Sequence, residues 1–381
     1  MKKNFLLINL ILIVLFVIVS SCVKSAPVAP VMNSTPVLTP TVLPTQTITP
    51  AYTASSTRTP TGTATITLAD SETSTDTVTE TGTALPTGTD TVTVTATITY
   101  TSTVIPPPYV SQWGSAGTGD NQFMFPFGVA VDGAGDVYVV DEGNNRIQKF
   151  NSDGVFIAKW GGSGSGDGQF SSPYGIAIDG SGNVYVADTS NNRVQKFDLA
   201  GTYIAQWAGS FNSPRGIAVD GSGNVFVEDY GNNLIKKYTG TGVFLTQWGG
   251  YGSGNGKFIF PYGIAVDGAG DVYVADTSNN RIQKFSNSGV YITKWGSNGS
   301  GDGMLNTPYG IAVDNSGDVY VADMGNYRIQ KFTNTGAYIT QWGGNGSGAG
   351  YFSGPHGIAV SSAGYVYVSD PYNRRIEKFG P

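Results

Sequence analysis

The fold is decided by the stretch PYGIAVDGAGDVYVADTSNNRIQKFSNSGVYITKW, which occupies residues 261–295. It contains four short runs rich in β-branched and aromatic residues: Gly263–Asp267, Asp271–Asp276, Arg281–Phe285 and Val290–Trp295. The glycine, asparagine, aspartate and serine residues between these runs favour tight turns. None of the runs carries the 3.6-residue apolar period of a helix. The stretch therefore predicts four consecutive antiparallel strands.

The same pattern occurs six times along the chain. The phrase Pro-x-Gly-(Ile/Val)-Ala begins at intervals of 47, 41, 47, 47 and 47 residues, at Pro126, Pro173, Pro214, Pro261, Pro308 and Pro355. The six tryptophans repeat at the same 47- and 41-residue intervals, and the shortening falls in a Gly/Ser loop between residues 207 and 214. Four strands in about 45 residues, repeated six times, predict an all-β fold, a six-bladed β-propeller of four-stranded antiparallel blades.

The ends of the repeat region indicate how the ring closes. The sixth repeat ends with its third strand, Arg375–Phe379, and no fourth strand follows it. A spare strand, YVSQWG at residues 109–114, precedes the first repeat and matches YITQWG at residues 338–343. We infer that this N-terminal strand completes the last blade. Such a closure pairs the two ends of the domain and leaves no long exposed sheet edge at the junction.

The phrases of the repeat resemble the NHL repeat family. They are PYGIAVD at residues 261–267, GDVYVAD at residues 270–276 and NNRIQKF at residues 279–285. The resemblance covers residues 109–381 and implies a six-bladed propeller. Members of this family include secreted binding domains, RNA-binding domains and a few metal-dependent lyases.

Residues 1–21 predict a lipoprotein signal peptide. Two lysines precede an almost wholly apolar run over residues 5–19, which is the order found in export signals. The sequence VSSC at residues 19–22 resembles the bacterial lipobox, in which cleavage precedes a cysteine that is then lipidated. The resemblance makes Cys22 the lipid anchor of an exported protein, and Val23 after it favours the outer membrane or cell surface. An uncleaved membrane helix with an incidental cysteine is the alternative.

Residues 22–108 form a Thr/Pro-rich segment of low complexity. Between Thr35 and Thr103 there are 28 threonines, all at odd-numbered positions. Few large apolar residues are present, so little surface is available to offset the entropy of an ordered chain. We predict an extended, mostly disordered stalk. Within it, the alternating segment TVTVTATITY at residues 91–100 is able to pair as a strand.

The composition excludes several classes of function. One cysteine and one histidine cannot build a Cys/His zinc site, which needs three or four such ligands. The NHL-type amidating lyases bind zinc through several histidines, whereas this chain has only His356. The net charge of −6 argues against a nucleic-acid ligand, because such binding needs an excess of lysine and arginine. We therefore expect no catalysis and no nucleic-acid partner.

Each repeat places an aspartate at the end of its second strand. Five repeats place an arginine five residues later, across one hairpin turn, and the third repeat has Leu234 there. A ring of metal-binding carboxylates is the functional interpretation of this pattern. One aspartate per blade, each with its own arginine, is also what a structural repeat needs. We assign these residues to the scaffold and expect no metal and no other cofactor.

The best candidate site lies where the repeat breaks its own symmetry. The variable residue of Pro-x-Gly begins the first strand, which is the innermost strand of a propeller blade. The six variable residues should therefore ring one mouth of the central channel: Phe127, Tyr174, Arg215, Tyr262, Tyr309 and His356. Glu228 joins them as a candidate, because the other blades have alanine, valine or serine at its position. The alternative is a local Arg215–Glu228 salt bridge beside aromatic side chains that merely plug the channel.

These observations favour a lipid-anchored, non-enzymatic binding protein of the bacterial cell envelope. The predicted ligand is a protein, a peptide or a glycan held at the rim of the channel, and the protein is expected to be a monomer. The membrane contact is expected through the lipid anchor alone. The alternative function is a metal-dependent hydrolase or lyase of the propeller type, with His356 near the metal.

Overall fold

The computed structural model describes residues 105–381 except residue 209, together with the backbone of five strands within residues 47–104. The chain divides into two compact units, Met1–Ile105 and Pro106–Pro381. The predicted signal peptide and Cys22 lie outside the described residues. Among the helices in the described part of the chain, none has both the length and the apolar character to span a membrane.

The N-terminal unit contains a five-stranded antiparallel sheet in which β3, β4 and β5 are consecutive neighbours and β1 and β2 both pair with β5. The strands are β1 Thr47–Ile48, β2 Ala51–Ala54, β3 Thr63–Ala69, β4 Ser74–Pro86 and β5 Val92–Val104. Residues 92–100 of the segment that was predicted to be able to pair as a strand lie in β5. The disordered stalk stays a prediction.

The second unit consists of six four-stranded sheets, each a separate blade. Strand β6 (Tyr109–Trp113) comes first in the chain. The first blade contains β7 Pro126–Val131, β8 Val137–Asp141, β9 Arg146–Phe150 and β10 Phe156–Gly161. The second contains β11 Pro173–Ile178, β12 Val184–Asp188, β13 Arg193–Phe197 and β14 Tyr203–Trp207. The third contains β15 Pro214–Val219, β16 Val225–Asp229, β17 Leu234–Tyr238 and β18 Phe244–Gly249.

The remaining three blades follow the same order. The fourth contains β19 Gly263–Val266, β20 Val272–Asp276, β21 Arg281–Phe285 and β22 Tyr291–Trp295. The fifth contains β23 Pro308–Val313, β24 Val319–Asp323, β25 Arg328–Phe332 and β26 Tyr338–Gly343. The sixth contains β27 Ile358–Val360, β28 Val366–Asp370 and β29 Arg375–Phe379, with β6 as its fourth strand. Single 3₁₀ turns follow the second strands of the first five blades: Glu142–Asn144, Thr189–Asn191, Tyr230–Asn232, Thr277–Asn279 and Met324–Asn326.

The hydrophobic core lies between neighbouring blades. The second strand of each blade is buried along its whole length. Its valine and aromatic side chains face the neighbouring blades on either side. One such cluster joins Tyr273 and Ile282 of the fourth blade to Ile311 and Val319 of the fifth. Packing between blades thus links the six sheets into one domain.

The predicted closure of the ring is confirmed. Strand β6 pairs antiparallel with β29, with Trp113 opposite Ile376 and Tyr109 opposite Phe379. The first strand of each blade contacts the first strand of the next, and β27 of the sixth blade contacts β7 of the first. These six innermost strands surround the central channel.

The aspartate and arginine of each hairpin form a buried ion pair, as the repeat pattern predicts. Arg281 Nε lies 2.7 Å from Asp276 Oδ2, and the Arg281 guanidinium also donates to carbonyl oxygens of the preceding Gly-rich loop. The third blade lacks this arginine, and Lys236 two residues further on lies 2.8 Å from Asp229 instead. The loop before this blade is the shortened one, so the arginine would have fewer carbonyl partners there.

Candidate functional site at the channel mouth

The six variable residues of Pro-x-Gly gather at one mouth of the channel, as the sequence predicts. We call Phe127, Tyr174, Arg215, Tyr262, Tyr309 and His356 the mouth residues. All except Arg215 line a cavity of about 80 Å³, whose remaining lining is the glycine and the isoleucine or valine of all six inner strands. His356 is buried and the other five are partly buried.

The aromatic mouth residues pack against one another across the channel. The Phe127 ring lies 4.6 Å from Tyr174 and 4.5 Å from His356, between ring centroids. Tyr309 stacks on His356 at 4.4 Å with an interplanar angle of 13°. Tyr262 completes the group at 4.2 Å from Tyr309. Side chains from the first, second, fourth, fifth and sixth blades thus form one cluster over the channel.

A hydrogen bond spans the channel between Tyr174 and His356. The Tyr174 hydroxyl lies 2.7 Å from His356 Nε2. Burial, and secondly the nearby Arg215 charge, lower the pKa of His356 to about 3. Burial also raises the pKa of Tyr174 well above its usual value. At neutral pH, both partners of this bond are therefore uncharged.

Arg215 stacks on aromatic rings rather than pairing with an acid. Its guanidinium carbon lies 3.5 Å from the centroid of Tyr230 and 4.2 Å from that of Tyr262. Its buried Nε and Nη1 atoms have no hydrogen-bond partner. Among the described residues, Arg215 and Glu228 form no ion pair, so the local salt bridge of the alternative interpretation is absent. The ring faces, which attract a cation at close range, hold the guanidinium instead.

Glu228 is a fully buried carboxyl group beneath the mouth. Its Oε2 accepts a hydrogen bond from the Gly216 amide at 3.0 Å, and its Oε1 has no partner. Burial raises the pKa of Glu228 to about 8, against the lowering effects of the Gly216 amide and Arg215. Glu228 is therefore mostly protonated at neutral pH, and it adds little negative charge to the mouth.

The titration of Glu228 predicts an alkaline loss of stability. The folded state keeps the Glu228 proton up to about pH 8, whereas the unfolded chain releases it near its usual pKa of 4.5. The free energy of unfolding should therefore fall as pH rises through this interval. Relative to the Glu228→Gln variant, the parent should lose on the order of 4 kcal/mol between pH 5 and pH 9. Denaturant unfolding at pH 5, 7 and 9 measures this difference.

His356→Gln serves as the matched control, because His356 titrates with the opposite sign. Its folded pKa of about 3 lies below the usual 6.5, so the stability that it contributes is lost as pH falls through that interval. The His356→Gln variant should flatten the acid limb and keep the alkaline one. Parallel curves for the parent and Glu228→Gln from pH 5 to pH 9 would contradict the assignment.

The structure also brings to the mouth several residues that the sequence reasoning did not include. Tyr230 stacks on Phe260 at 5.2 Å and meets Tyr262 at 5.1 Å. Phe125 stacks on Phe127 at 6.4 Å. Phe125 and Phe260 each precede the proline of a repeat, and Tyr230 follows the second-strand aspartate. Both positions vary among the repeats, so broken symmetry outside Pro-x-Gly is the sequence signal that points to these residues.

The repeats of the propeller match a known family. Five segments match the NHL repeat: residues 123–150, 170–197, 211–238, 258–285 and 305–332. Five of the six blades contain a match to the NHL repeat. Each match ends at the last residue of the third strand of a blade, from Phe150 to Phe332. In the residues that the structure describes, no group of three or more histidine, cysteine, aspartate or glutamate side chains is arranged to hold a metal ion.

Two curated proteins are similar to short stretches of this chain. Protein lin-41 of Caenorhabditis elegans is 47% identical over 45 residues, which is 12% of this chain and 4% of that protein. The B-box type zinc finger protein ncl-1 of the same organism is 46% identical over 48 residues, 13% of this chain and 6% of that protein. The matched stretches span about one repeat and a small fraction of either relative.

Solved structures share the propeller fold at low sequence identity. A gluconolactonase from Xanthomonas campestris superposes with a TM-score of 0.53 at 13% identity, covering 72% of this chain and 97% of that chain. A catalytically inactive virginiamycin B lyase from Staphylococcus aureus, solved with quinupristin, gives 0.50 at 15% identity, covering 88% and 100%. At these identities the similarity concerns the fold alone.

Proposed function

We propose that the NHL propeller is a non-enzymatic binding domain that recognises a protein, peptide or glycan through its channel mouth. One observation carries the proposal: a cluster of aromatic rings surrounds an arginine that has no acidic partner among the described residues. If the variable position of Pro-x-Gly had only a structural role, one residue type would suffice in all six blades. Arginine and histidine, however, each occur there once, as Arg215 and His356. A guanidinium held flat on rings is positioned for an anionic or polar ligand.

We further propose that this domain is displayed on the bacterial cell envelope as a monomer, anchored by lipid on Cys22. The apolar leader and the lipobox-like VSSC at residues 19–22 support this localisation. The propeller itself carries 17 lysines and arginines against 22 aspartates and glutamates. This acidic balance disfavours a nucleic-acid ligand, whose phosphates would be repelled.

The alternative function is a metal-dependent hydrolase or lyase with His356 near the metal. The environment of His356 favours the binding function instead. Its Nε2 is already 2.7 Å from the Tyr174 hydroxyl, and Tyr309 and Phe127 pack against its ring. A metal analysis of the purified protein separates the two functions, because stoichiometric zinc or calcium would favour the enzyme.

The binding function predicts a selective loss on changing the mouth. The parent protein, Arg215→Ala and Tyr262→Leu are compared on glycan and peptide arrays, and each hit is measured in solution. Both variants remove a contact of the guanidinium–ring cluster, so we expect at least about tenfold weaker binding, equivalent to about 1.4 kcal/mol. Thermal unfolding checks that each variant is folded.

Lys159→Ala is the matched control for the loss of one positive charge. Lys159 lies on an outer strand, its side chain is 44% exposed, and its partner is Asp120. This variant should bind as the parent does. Equal binding by the parent and both mouth variants, for every array hit, would rule out the mouth as the ligand site.

A further inference from the structure

The rings at the channel mouth continue outward on two sides into one aromatic band. At its centre, Phe127, Tyr174 and Tyr262 lie in a row with centroid separations of 4.6 and 5.6 Å. Beyond Phe127, the row continues through Phe125 to Tyr372, with steps of 6.4 Å. Beyond Tyr262, it continues through Tyr230 to Phe260, with steps of 5.1 and 5.2 Å. We call these seven rings the aromatic band.

The two ends of the band are its most accessible rings. Tyr372 is 57% exposed and Phe260 is 42% exposed. These residues belong to the sixth blade and to the segment that enters the fourth blade, so only the fifth blade separates the two ends of the band around the ring. An extended ligand could therefore contact rings at both ends while passing over the partly buried centre.

Two arginines lie on this band. Arg215 lies over Tyr230 and Tyr262, and Arg374 lies 4.9 Å from the centroid of Phe125. Within the described residues neither arginine forms an ion pair. Both depart from the repeat, since Arg374 stands where four other blades have asparagine. Stacking holds each guanidinium plane in place. Because Arg215 Nε and Nη1 are buried, a carboxylate contact at Arg215 is limited to Nη2.

The charge of the band contrasts with that of the whole domain. Glu142 lies close enough to Tyr174 to affect its pKa and contributes one negative charge. Glu228 is mostly protonated at neutral pH, because burial raises its pKa to about 8. The hairpin aspartates are buried beside their own cations. Two arginines against one carboxylate leave the band positive on an acidic propeller, so an acidic ligand is complementary to it.

The shape of the band favours a polysaccharide over a peptide. The cavity at the mouth is about 80 Å³, far below the roughly 300 Å³ of a small-molecule pocket. Protein partners usually insert anchor side chains into well-packed pockets, and peptides often add a strand to a free sheet edge. The inner strands are edges of their sheets, but they face one another around a narrow channel, where the cavity of about 80 Å³ leaves no room for an added strand. Flat rings spaced along a row suit the flat faces of successive sugar rings.

We propose that the aromatic band binds an acidic polysaccharide. Uronate carboxylates bind Arg215 and Arg374, and the sugar rings stack on the exposed rings at Tyr372 and Phe260. This inference rests on the proposed function and adds a ligand class and five further residues: Phe125, Tyr230, Phe260, Tyr372 and Arg374. It requires no chemical change in the ligand.

The experiment titrates the full-length protein with four probes of known chemistry. These are polygalacturonate, its fully methyl-esterified form, an uncharged glucan and polyglutamate. We expect polygalacturonate to bind and its methyl ester to bind at least tenfold more weakly, because esterification removes the carboxylates and keeps the sugar chain. We also expect polyglutamate to bind more weakly than polygalacturonate, because it has no sugar rings.

Three variants test the residues, and each is expected to fold. Arg215→Tyr and Arg374→Asn install the residue found in other blades, and Tyr372→Ala removes an exposed ring. Each should weaken polygalacturonate binding at least fivefold. Tyr351→Ala is the matched control, since Tyr351 is 52% exposed and lies outside the band. It should leave binding unchanged.

The outcomes separate this inference from the proposed function. Equal binding of polygalacturonate and its ester, stronger binding of polyglutamate, unchanged binding by the three variants, or no binding of any acidic probe would each overturn the acidic-polysaccharide inference. If a neutral glycan or a peptide binds instead and Arg215→Ala abolishes that binding, the proposed function stands without this ligand class. If no ligand depends on the mouth residues, both fail.

Discussion

Deleting residues 109–114 from the full chain is expected to abolish cooperative unfolding of the propeller. The deletion removes β6, the fourth strand of the last blade, and leaves β29 without its outer partner. Trp113 is 93% buried, with its ring 5.9 Å from Phe150 and 6.1 Å from Tyr367. Loss of one such tryptophan costs about 3–5 kcal/mol, and whole domains are stable by only about 5–15 kcal/mol.

The chain that precedes the deletion cannot replace the missing strand. After the deletion, TVIPPP from residues 103–108 would occupy its place. Its three prolines carry no N–H group for the ladder with β29. Circular dichroism and calorimetry of the deletion variant should therefore show no sharp thermal transition of the propeller.

A point variant in the same strand provides the control. Val110 is 46% exposed, so Val110→Thr should change the free energy of unfolding by no more than about 0.5 kcal/mol. A deletion variant that melts at the parent temperature would show that closure by β6 is dispensable. A second contact joins β6 to β29: the Gln112 side chain accepts a hydrogen bond from Arg375 at 2.7 Å.

The fold could be predicted because the same strand pattern occurs six times in the sequence. Six copies of one strand pattern give the blade, and the missing fourth strand of the last copy shows where residues 109–113 belong. The Thr-rich segment carries no comparable tertiary pattern. Composition predicts a disordered stalk there, and that stays a prediction. Local alternation predicts only that residues 91–100 are able to pair as a strand, and residues 92–100 lie in β5.

The candidate site was predictable only in part. The position of the six mouth residues follows from the innermost strand, which the repeat identifies. The partners of Arg215 did not follow, because its long side chain reaches either Glu228 in its own blade or the rings of Tyr230 and Tyr262. The structure places it on the rings. Choosing between such arrangements depends on side-chain conformations that a strand pattern does not encode.

In the third blade, a lysine at another position compensates for the missing hairpin arginine. Comparing the repeats one position at a time did not predict this replacement. Leu234 marks the loss of the hairpin arginine, yet Asp229 keeps a cation because Lys236 replaces the usual glutamine two residues later. The ammonium also donates to the Ser210 carbonyl of the shortened loop at 2.9 Å. A loop deletion, a lost arginine and a gained lysine thus form one structural change. Only the three-dimensional contacts join them.

Gly263→Ala is expected to destabilise the propeller by about 3 kcal/mol or more. Gly263 is the glycine of Pro-x-Gly in the fourth blade, and a Cβ atom added there would lie 2.1 Å from the Tyr309 carbonyl oxygen of the next blade. The obstacle is backbone on an inner strand, so it cannot rotate away as a side chain would. Relief requires two neighbouring blades to move apart, which also opens the buried contacts between them.

Gly268→Ala distinguishes this steric effect from a general cost of replacing glycine. A Cβ at Gly268, in the first hairpin turn of the same blade, would meet no atom within 4 Å. Its alanine variant should therefore match or slightly exceed the parent in stability, because alanine reduces the freedom of the unfolded chain. Denaturant midpoints of the two variants measure the difference. If Gly263→Ala unfolds at the same midpoint as Gly268→Ala, close approach of the inner strands is not what requires glycine in Pro-x-Gly. If the two midpoints differ as expected, close packing of the inner strands explains the glycine of Pro-x-Gly. The same packing occurs in other blades, because a Cβ at Gly175, Gly310 or Gly357 would also lie 2.1 Å from a carbonyl oxygen of the next blade.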